Sequence, residues 1–311
     1  MKALASYSVG EWLTGDPLAH RLRRARNILV DRIYRGRQAE GQAELVARLK
    51  GAPSLAFTVA FNLPGAISLL ADAMGRFVPG TALVVCDNSN DPEARAAIGE
   101  LCRARGLLSC PLPPSPYRGK RNGSRSHGVA LNWILANLVR PAAPRVFAFL
   151  DHDLVPLAPA DLPALVKGQL FYGMVRQSDR RDGPWYLWPG FSVFDYEAVK
   201  AHPLDFGTDT PLALDTGGQN WTILYRHFDL AGLRQATRCT VYLEEAMARA
   251  KGETAVESSR YLLTDGWLHI GGVGHRVGGL NALERTQLAF AEDPDGLLAR
   301  LLATAKSPPS T

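Results

Sequence analysis

Two carboxylates one residue apart, Asp151 and Asp153, end the apolar run Val146-Phe147-Ala148-Phe149-Leu150. A short apolar run that stops abruptly at charge reads as a buried strand. The carboxyl ends of such strands open into the ligand crevice of an α/β sheet. Two acids at that lip repel one another unless a cation lies between them. A hard divalent cation takes oxygen ligands and can sit against phosphate. The spacing therefore points to metal-assisted phosphate chemistry, with a solvated acidic turn as the plain alternative. His152 falls on the opposite face of a strand from its two neighbours and is expected to pack, not ligate.

Two further strands end in informative residues, at Phe61-Asn62 and at Cys86-Asp87. If all three are parallel neighbours, they deliver Asn62, Asp87, Asp151 and Asp153 to one edge. A carboxylate such as Asp87 can accept a hydrogen bond from a base N–H or a sugar hydroxyl. The loop over 118–125 adds Arg118, Lys120, Arg121 and Arg125, donors suited to a diphosphate. Acids for metal, cations for phosphate and an acid for the nucleoside together describe a nucleoside-diphosphate site.

The elements that must position these residues follow from periodicity. Residues 16–50 read as helix, broken into two pieces by Gly36 and Gly41. Leu55 to Phe61 is β-prone, and a turn at Asn62-Leu63-Pro64-Gly65 leads into an amphipathic helix from Ile67 to Phe77. The strand Ala82 to Cys86 and a helix over 92–105 repeat the pattern, with Pro92 placed in the first turn of that helix. Alternating strands and helices specify a parallel sheet with helical crossovers. A Pro- and Gly-rich loop over 111–123 precedes a helix that Ser124 or Ser126 could cap and that runs to Val139. Beyond the acidic strand, the reading is a helix over 160–169, a strand over 170–176 and long loops over 177–220. Strands over 239–243 and 267–270 and a helix over 282–305 follow, with a disordered tail from Ser307 to Thr311.

Composition bounds the rest. The 311 residues are 46% hydrophobic, enough for one large or two modest cores. No apolar stretch approaches the roughly 18 residues that span a bilayer, and the N-terminus lacks a secretory apolar run. Cys86, Cys102, Cys110 and Cys239 show no metal-ligand spacing, and reduced thiols in a cytoplasmic protein are the plain reading. The net charge of +5 is mild, yet His20 and Arg21, Arg23, Arg24, Arg26, Arg32, Arg35 and Arg37 crowd residues 20–37. A solvated helix face accounts for that cluster. Peripheral contact with an anionic membrane, on its inner face, is the open alternative, and no nucleic-acid partner is expected.

These residues resemble a family. The block from Leu55 to Pro156 is similar to the nucleotide-binding half of GT-A glycosyltransferases, close to the inverting family 2 group. Val84-Val85-Cys86-Asp87-Asn88-Ser89-Asn90-Asp91 resembles their strand ending in Asp-Asn-Ser, whose aspartate contacts the nucleobase. Ser126-His127-Gly128-Val129-Ala130-Leu131-Asn132 resembles the helix start before the metal strand. Phe149-Leu150-Asp151-His152-Asp153 resembles the Asp-x-Asp metal motif. The resemblance implies a Rossmann-like α/β fold with a mixed, mostly parallel sheet flanked by helices, plus an N-terminal helical extension and a C-terminal helix. It divides the chain into the extension at 1–50, a catalytic domain at 51–280 and a C-terminal helix and tail at 281–311. Within the catalytic domain, 51–156 would bind nucleotide and 157–280 the acceptor.

The resemblance also assigns roles. Asn62, Asp87, Asn88, Lys120, Arg125 and Asp151 would bind the sugar nucleotide, and Asp151, Asp153 and His269 would hold Mn²⁺ or Mg²⁺, with His275 the rival ligand. Pro189 to Asp195 resembles the acceptor-side segment, so Gly190 would touch sugar or acceptor. Trp185 and Trp188, aromatic faces in a loop with polar neighbours, suit stacking on a sugar ring, with a lid or a satellite core as the equal alternative. Asp215 stands where the family places its catalytic base. Leu214 departs there from the usual Glu-Asp pair, which leaves inversion or retention open. The implied donor is a nucleoside-diphosphate sugar, with uridine as the guessed base, and the acceptor is a hydroxyl. Richness in Ala, Arg, Gly and Pro suggests a bacterial source, and with it polysaccharide or glycoconjugate synthesis. The rivals are a nucleotidyltransferase, a non-catalytic sugar-nucleotide binder and a haloacid-dehalogenase-like phosphohydrolase. The first lacks its Gly-rich basic loop at Asn62-Leu63-Pro64-Gly65, and the last lacks its downstream acid pair.

Overall fold

Apolar runs cut by Gly, Pro or Asp become strands at Ser54–Ala60 (β1), Ala82–Asp87 (β2), Leu108–Pro111 (β3) and Val146–Leu150 (β4). The chain continues through Leu154–Pro156 (β5), Phe171–Gln177 (β6) and Trp185–Asp195 (β7), then Arg238–Tyr242 (β8), Arg260–Thr264 (β9) and Trp267–His269 (β10). This computed structural model describes residues 3–117, 119, 122–178, 183–254, 259–273 and 279–305. One sheet has six strands in the order β3-β2-β1-β4-β7-β6. Strands β1 to β4 run parallel, β7 is antiparallel to β4, and β6 is antiparallel to β7. This is a mixed, mostly parallel sheet of the kind the resemblance implied. A second, antiparallel sheet runs β5-β10-β9-β8.

The first six helices are Val9–Leu13 (α1), Asp16–Arg35 (α2), Gln42–Leu49 (α3), Pro64–Phe77 (α4), Pro92–Ala104 (α5) and Gly123–Ile134 (α6). The last continues through a π-turn at Leu135–Val139. Side chains alternate along each strand, so one strand feeds two cores. Ala56, Val85, Ala148 and Leu150 pack with α4 and with the second sheet. Leu55, Phe57, Val84, Phe147 and Phe149 pack with α6, α3 and Tyr34 of α2. Pro64 and Pro92 sit in first turns, where a missing N–H costs nothing. Asp91 caps α5 through the N–H groups of Glu93 and Ala94.

The structure departs from the sequence reading in several places. Residues 185–195, expected in a loop, form the 11-residue strand β7. It is covered on both faces, so it shows no polar alternation, and Pro189-Gly190 in its middle disguises it further. Three short strands, β3, β5 and β9, also escaped the periodicity. The helix expected over 160–169 shrinks to Leu162–Leu165, ahead of Gly168 at φ +81°. The C-terminal helix is two pieces, Gly279–Glu292 and Leu297–Leu302, and Pro294 lies in the gap. The expected tail from Ser307 lies outside the described residues.

Candidate active site

From β1 the chain steps outward through β2 to β3, then returns to β4 on the other flank of β1. The crevice of an open α/β sheet lies at this switch, beyond the carboxyl ends of β1 and β4. His152 spans it, its Nδ1 accepting the Phe61 N–H at 3.3 Å. That bond fixes the imidazole against the end of β1.

Asp151 and Asp153 occupy a tight turn, closed by the Leu154 N–H donating to Asp151 O at 3.1 Å. The Asp151 N–H donates to Gly190 O at 3.0 Å, tying the turn to β7. Asp153 is 5% exposed. Its Oδ2 accepts the Gly271 N–H at 3.1 Å, and its Oδ1 lies 3.5 Å from His269 Nε2. The second sheet makes this meeting: β10 pairs with β5 so that His269 lies opposite Leu154, the residue after Asp153. Ligand atoms of Asp151, Asp153 and His269 all come within 4.8 Å of one another.

Burial alone would raise the Asp153 carboxyl. The hydrogen bond and charge of His269, with His152 behind, outweigh burial and hold it below the usual carboxylate range. Burial likewise pulls the His269 imidazole down, but Asp153 and then Asp151 lift it above its ordinary value. The pair is thus a carboxylate beside an imidazole that holds its proton more tightly than usual, and a cation bound there would displace that proton. Two carboxylates and one imidazole form a donor set that fits a first-row divalent cation such as Mn²⁺, and fits Mg²⁺ less well.

Trp188 walls this cluster. Its ring lies 4.6 Å from that of His269, and the Arg176 guanidinium sits 5.8 Å over its face. Gly190 is needed there, because a Cβ would stand 2.1 Å from the indole. Arg176 reaches this place through the β6–β7 hairpin, where it pairs with Tyr186. Nothing local in the sequence marks it. His127, on the first turns of α6, approaches Asp151 Oδ1 at 3.8 Å. It stood in the helix-start motif without a role, and only the fold brings it to the acid.

On the β2 side, Asp87 is 6% exposed, and its oxygens are engaged. Oδ1 accepts the Ser89 N–H at 2.9 Å, and Oδ2 lies 3.8 Å from Arg95 Nε. Arg95, unremarked in the sequence, also donates to the carbonyls of Ser89 and Leu112, so it pins the whole loop. Asn62 adopts φ +55°, and its Oδ1 accepts the N–H groups of Asn90 and Asp91, both at 3.1 Å. Its side chain shapes the β2 loop instead of pointing into open space. Asn88 donates to Ser126 Oγ at 3.2 Å and so joins that loop to α6.

Arg125 is placed differently from its expected role. With Arg24, Asp31, Tyr117 and Asp205 it lines a cavity of about 80 Å³ between α2 and α6, whose walls include none of the three clustered residues. Two positions separate it from His127, and on a helix that turns them to opposite sides. Trp185 is also displaced from its expected contact. It is 4% exposed and stacks on Tyr225 at 5.0 Å, in the core on the α6 side of the sheet. Lys120 and His275 lie outside the described residues.

Asp215 is exposed, on a turn that packs against the start of α6 and the middle of β7. Thr216 Oγ1 donates to Ser124 O at 3.1 Å, and Gly217, at φ +89°, lies against Leu187 and Pro189. Asp215 caps no helix: Gln219 precedes the next one and makes no side-chain cap. An exposed carboxylate is therefore held between β7 and the start of α6.

No protein-family model matches the chain, and no curated protein matches it in sequence. Solved structures similar to it include a mannosyltransferase from Pyrobaculum calidifontis in complex with GDP-Man and Mn²⁺. That match has 17% identity and a TM-score of 0.34, over 60% of this chain and 59% of that one. Glucosyl-3-phosphoglycerate synthase from Mycobacterium tuberculosis, in complex with Mn²⁺ and UDP-glucose, aligns at 17% identity and a TM-score of 0.35, over 88% of this chain and 86% of that one. The same enzyme with phosphoglyceric acid aligns at 19% identity and a TM-score of 0.31, over 54% and 65%. The chain thus spans less of the mannosyltransferase's length than of the synthase's in its UDP-glucose complex.

Proposed function

We propose that this chain is a metal-dependent glycosyltransferase that moves a sugar from a nucleoside-diphosphate donor to a hydroxyl acceptor. The observation that carries the reading is the meeting of Asp151, Asp153 and His269 at the switch point of the sheet. These three would hold Mn²⁺ or Mg²⁺, and the cation supplies charge neutralisation for a departing diphosphate. Residues 51–280 would form the catalytic domain, with the base and ribose beside Asp87 and Asn88 at the end of β2. Trp188, braced by Gly190, presents its indole beside the cluster and suits the apolar face of a sugar. Arg176 adds positive charge near the same spot, the service expected of Arg125 and Lys120. Asp215 would take the proton from the acceptor hydroxyl. Polysaccharide or glycoconjugate assembly in a bacterial cytoplasm is the setting we infer for it.

Release of nucleoside diphosphate from a panel of UDP- and GDP-sugars, with and without Mn²⁺, tests the reading. We expect release that needs the cation and falls at least ~100-fold in Asp215→Asn, with donor affinity retained, as loss of a general base entails. A sugar-nucleotide binder without turnover would bind donor and release nothing. Cation-independent release would overturn the proposal.

A further inference from the structure

The N-terminal helix α2 carries leucines that the fold leaves in water. Leu18, Leu22, Leu29 and Ile33 are 62%, 72%, 59% and 56% exposed. At 100° per residue these four fall within about 60° of arc, one stripe along a helix about 30 Å long. The opposite face is fastened to the body. Asn27 accepts from Tyr117 Oη at 3.3 Å, Asp31 accepts from Asn132 Nδ2 at 3.1 Å, and Tyr34 Oη donates to Pro113 O at 2.7 Å. Those bonds fix the rotation of α2, so the stripe is presented outward and cannot roll inward to be covered.

Exposed arginines border the stripe: Arg21 and Arg32 on one side, Arg26 on the other. The acids of α2 are Asp16 and Asp31, and the same helical arithmetic puts both on the fastened side. Short helix α1 precedes it, closed by a capping box between Ser8 and Glu11. It exposes Val9, Trp12 and Leu13, at 78%, 46% and 84%. A tryptophan among aliphatic side chains, with arginines alongside, is the composition that settles at a lipid–water interface. No helix among the described residues is long and apolar enough to cross a membrane.

We infer that α1 and α2 dock this protein onto a bilayer bearing anionic headgroups, with the stripe in the acyl boundary and the arginines at the phosphates. Charge decides between occupants. A second copy laid stripe to stripe would bring guanidinium against guanidinium along α2, where both acids lie on the fastened side. A nucleic acid would answer the arginines and leave the leucines in water. An anionic lipid surface satisfies both.

The test is sedimentation of the full chain with vesicles of phosphatidylglycerol and phosphatidylcholine, and with vesicles of phosphatidylcholine alone. We expect binding to the mixed vesicles, weakened by salt and at least ~tenfold poorer to the neutral ones. Leu22→Glu with Leu29→Glu should lower partitioning at least ~tenfold, since each change removes a buried aliphatic side chain from the acyl boundary. Arg21→Gln with Arg26→Gln and Arg32→Gln should remove the preference for anionic lipid. All five side chains are exposed, and an unchanged melting curve shows that the variants fold. Equal binding by parent and leucine variant overturns the inference. So does a dimer in solution that the leucine variant abolishes, or binding to duplex nucleic acid but not to vesicles. Failure here leaves the nucleoside-diphosphate assay untouched, because neither helix contributes to the three-residue cluster.

Discussion

Replacing Asp153 by asparagine separates its two jobs. One oxygen anchors the Gly271 N–H and the other faces His269. An amide oxygen can still accept the backbone bond, so the turn keeps its anchor. What goes is the negative charge, and with it the partner of His269 and the central metal oxygen. Loss of one charge-assisted bond costs the apo protein about 1–3 kcal/mol, a fall of a few degrees in melting temperature. The metal effect is larger and easier to read. A cation at about 100 times its Kd stabilises the native state by about 2.7 kcal/mol, roughly 5 °C for a chain of this size. Differential scanning fluorimetry over a Mn²⁺ series should show that rise in the parent. In Asp153→Asn the rise should shrink to less than about 1 °C, and in His269→Ala it should survive in part. An undiminished Mn²⁺ shift in Asp153→Asn would place the cation elsewhere on the molecule.

Asp31 offers a pH test away from the cluster. Burial, with Asp205 nearby and Arg35 opposing, raises its carboxyl from 3.8 to about 6. A raised acid stabilises the fold below its unfolded value and loses that contribution as pH climbs from about 4 through about 6. Asp31→Asn should therefore gain ~1–2 kcal/mol over the parent at pH 7.5, after discounting for solvent screening, and nothing at pH 4. Urea unfolding at the two pH values checks the sign. Gly128→Ala should lose about 1–3 kcal/mol in the same assay, because its Cβ would stand 2.6 Å from the Phe206 carbonyl oxygen, a backbone atom held in place by the Gly217 N–H at 2.8 Å.

Local signals carried the parallel half of the molecule. β2 and β4 are apolar runs up to their acids, β1 is broken from Leu55 on only by Thr58, and proline, glycine and aspartate mark the helices between them. Asp151 and Asp153 were legible because charge breaks an apolar run. His269 was legible through a resemblance, whereas its physical partner is set by the register of β10 against β5. Non-local residues stayed hidden. Arg176 reaches Trp188 across a hairpin, Arg95 reaches Asp87 from the next helix, and His127 meets Asp151 only when α6 packs on the sheet against β1. Arg125 and His127 stand two places apart on a helix, so only one of them can face the cluster, and the local sequence does not say which. Trp185 and Trp188 look alike in sequence. One packs into the core and the other walls the cluster, because three positions along β7 put them on opposite faces of the sheet.

The acidic turn is also where the chain leaves one sheet for the other, and this ties metal binding to assembly. Asp151 answers to the first sheet, its N–H bonded to Gly190 of β7. Asp153 answers to the second, its carbonyl accepting the Ile270 N–H at 3.0 Å just past β10. The three ligand atoms converge only when β10 is seated on β5. A cation bound there must stabilise that seating by its own binding free energy, since the ligand set does not exist with β10 detached. β10 has only three residues and relies on β5 and β9 for its place. Local opening of β9 and β10 should therefore limit amide exchange in the apo protein. Mn²⁺ should slow exchange at Leu262, Leu263 and Leu268 by about the factor that it adds to stability, near 100-fold at 100 times Kd. Residues of β2 and β3, remote from the turn, should change far less. Uniform protection across both sheets would mean that the second sheet does not open by itself. Protection confined to β2 would place the cation at Asp87 instead.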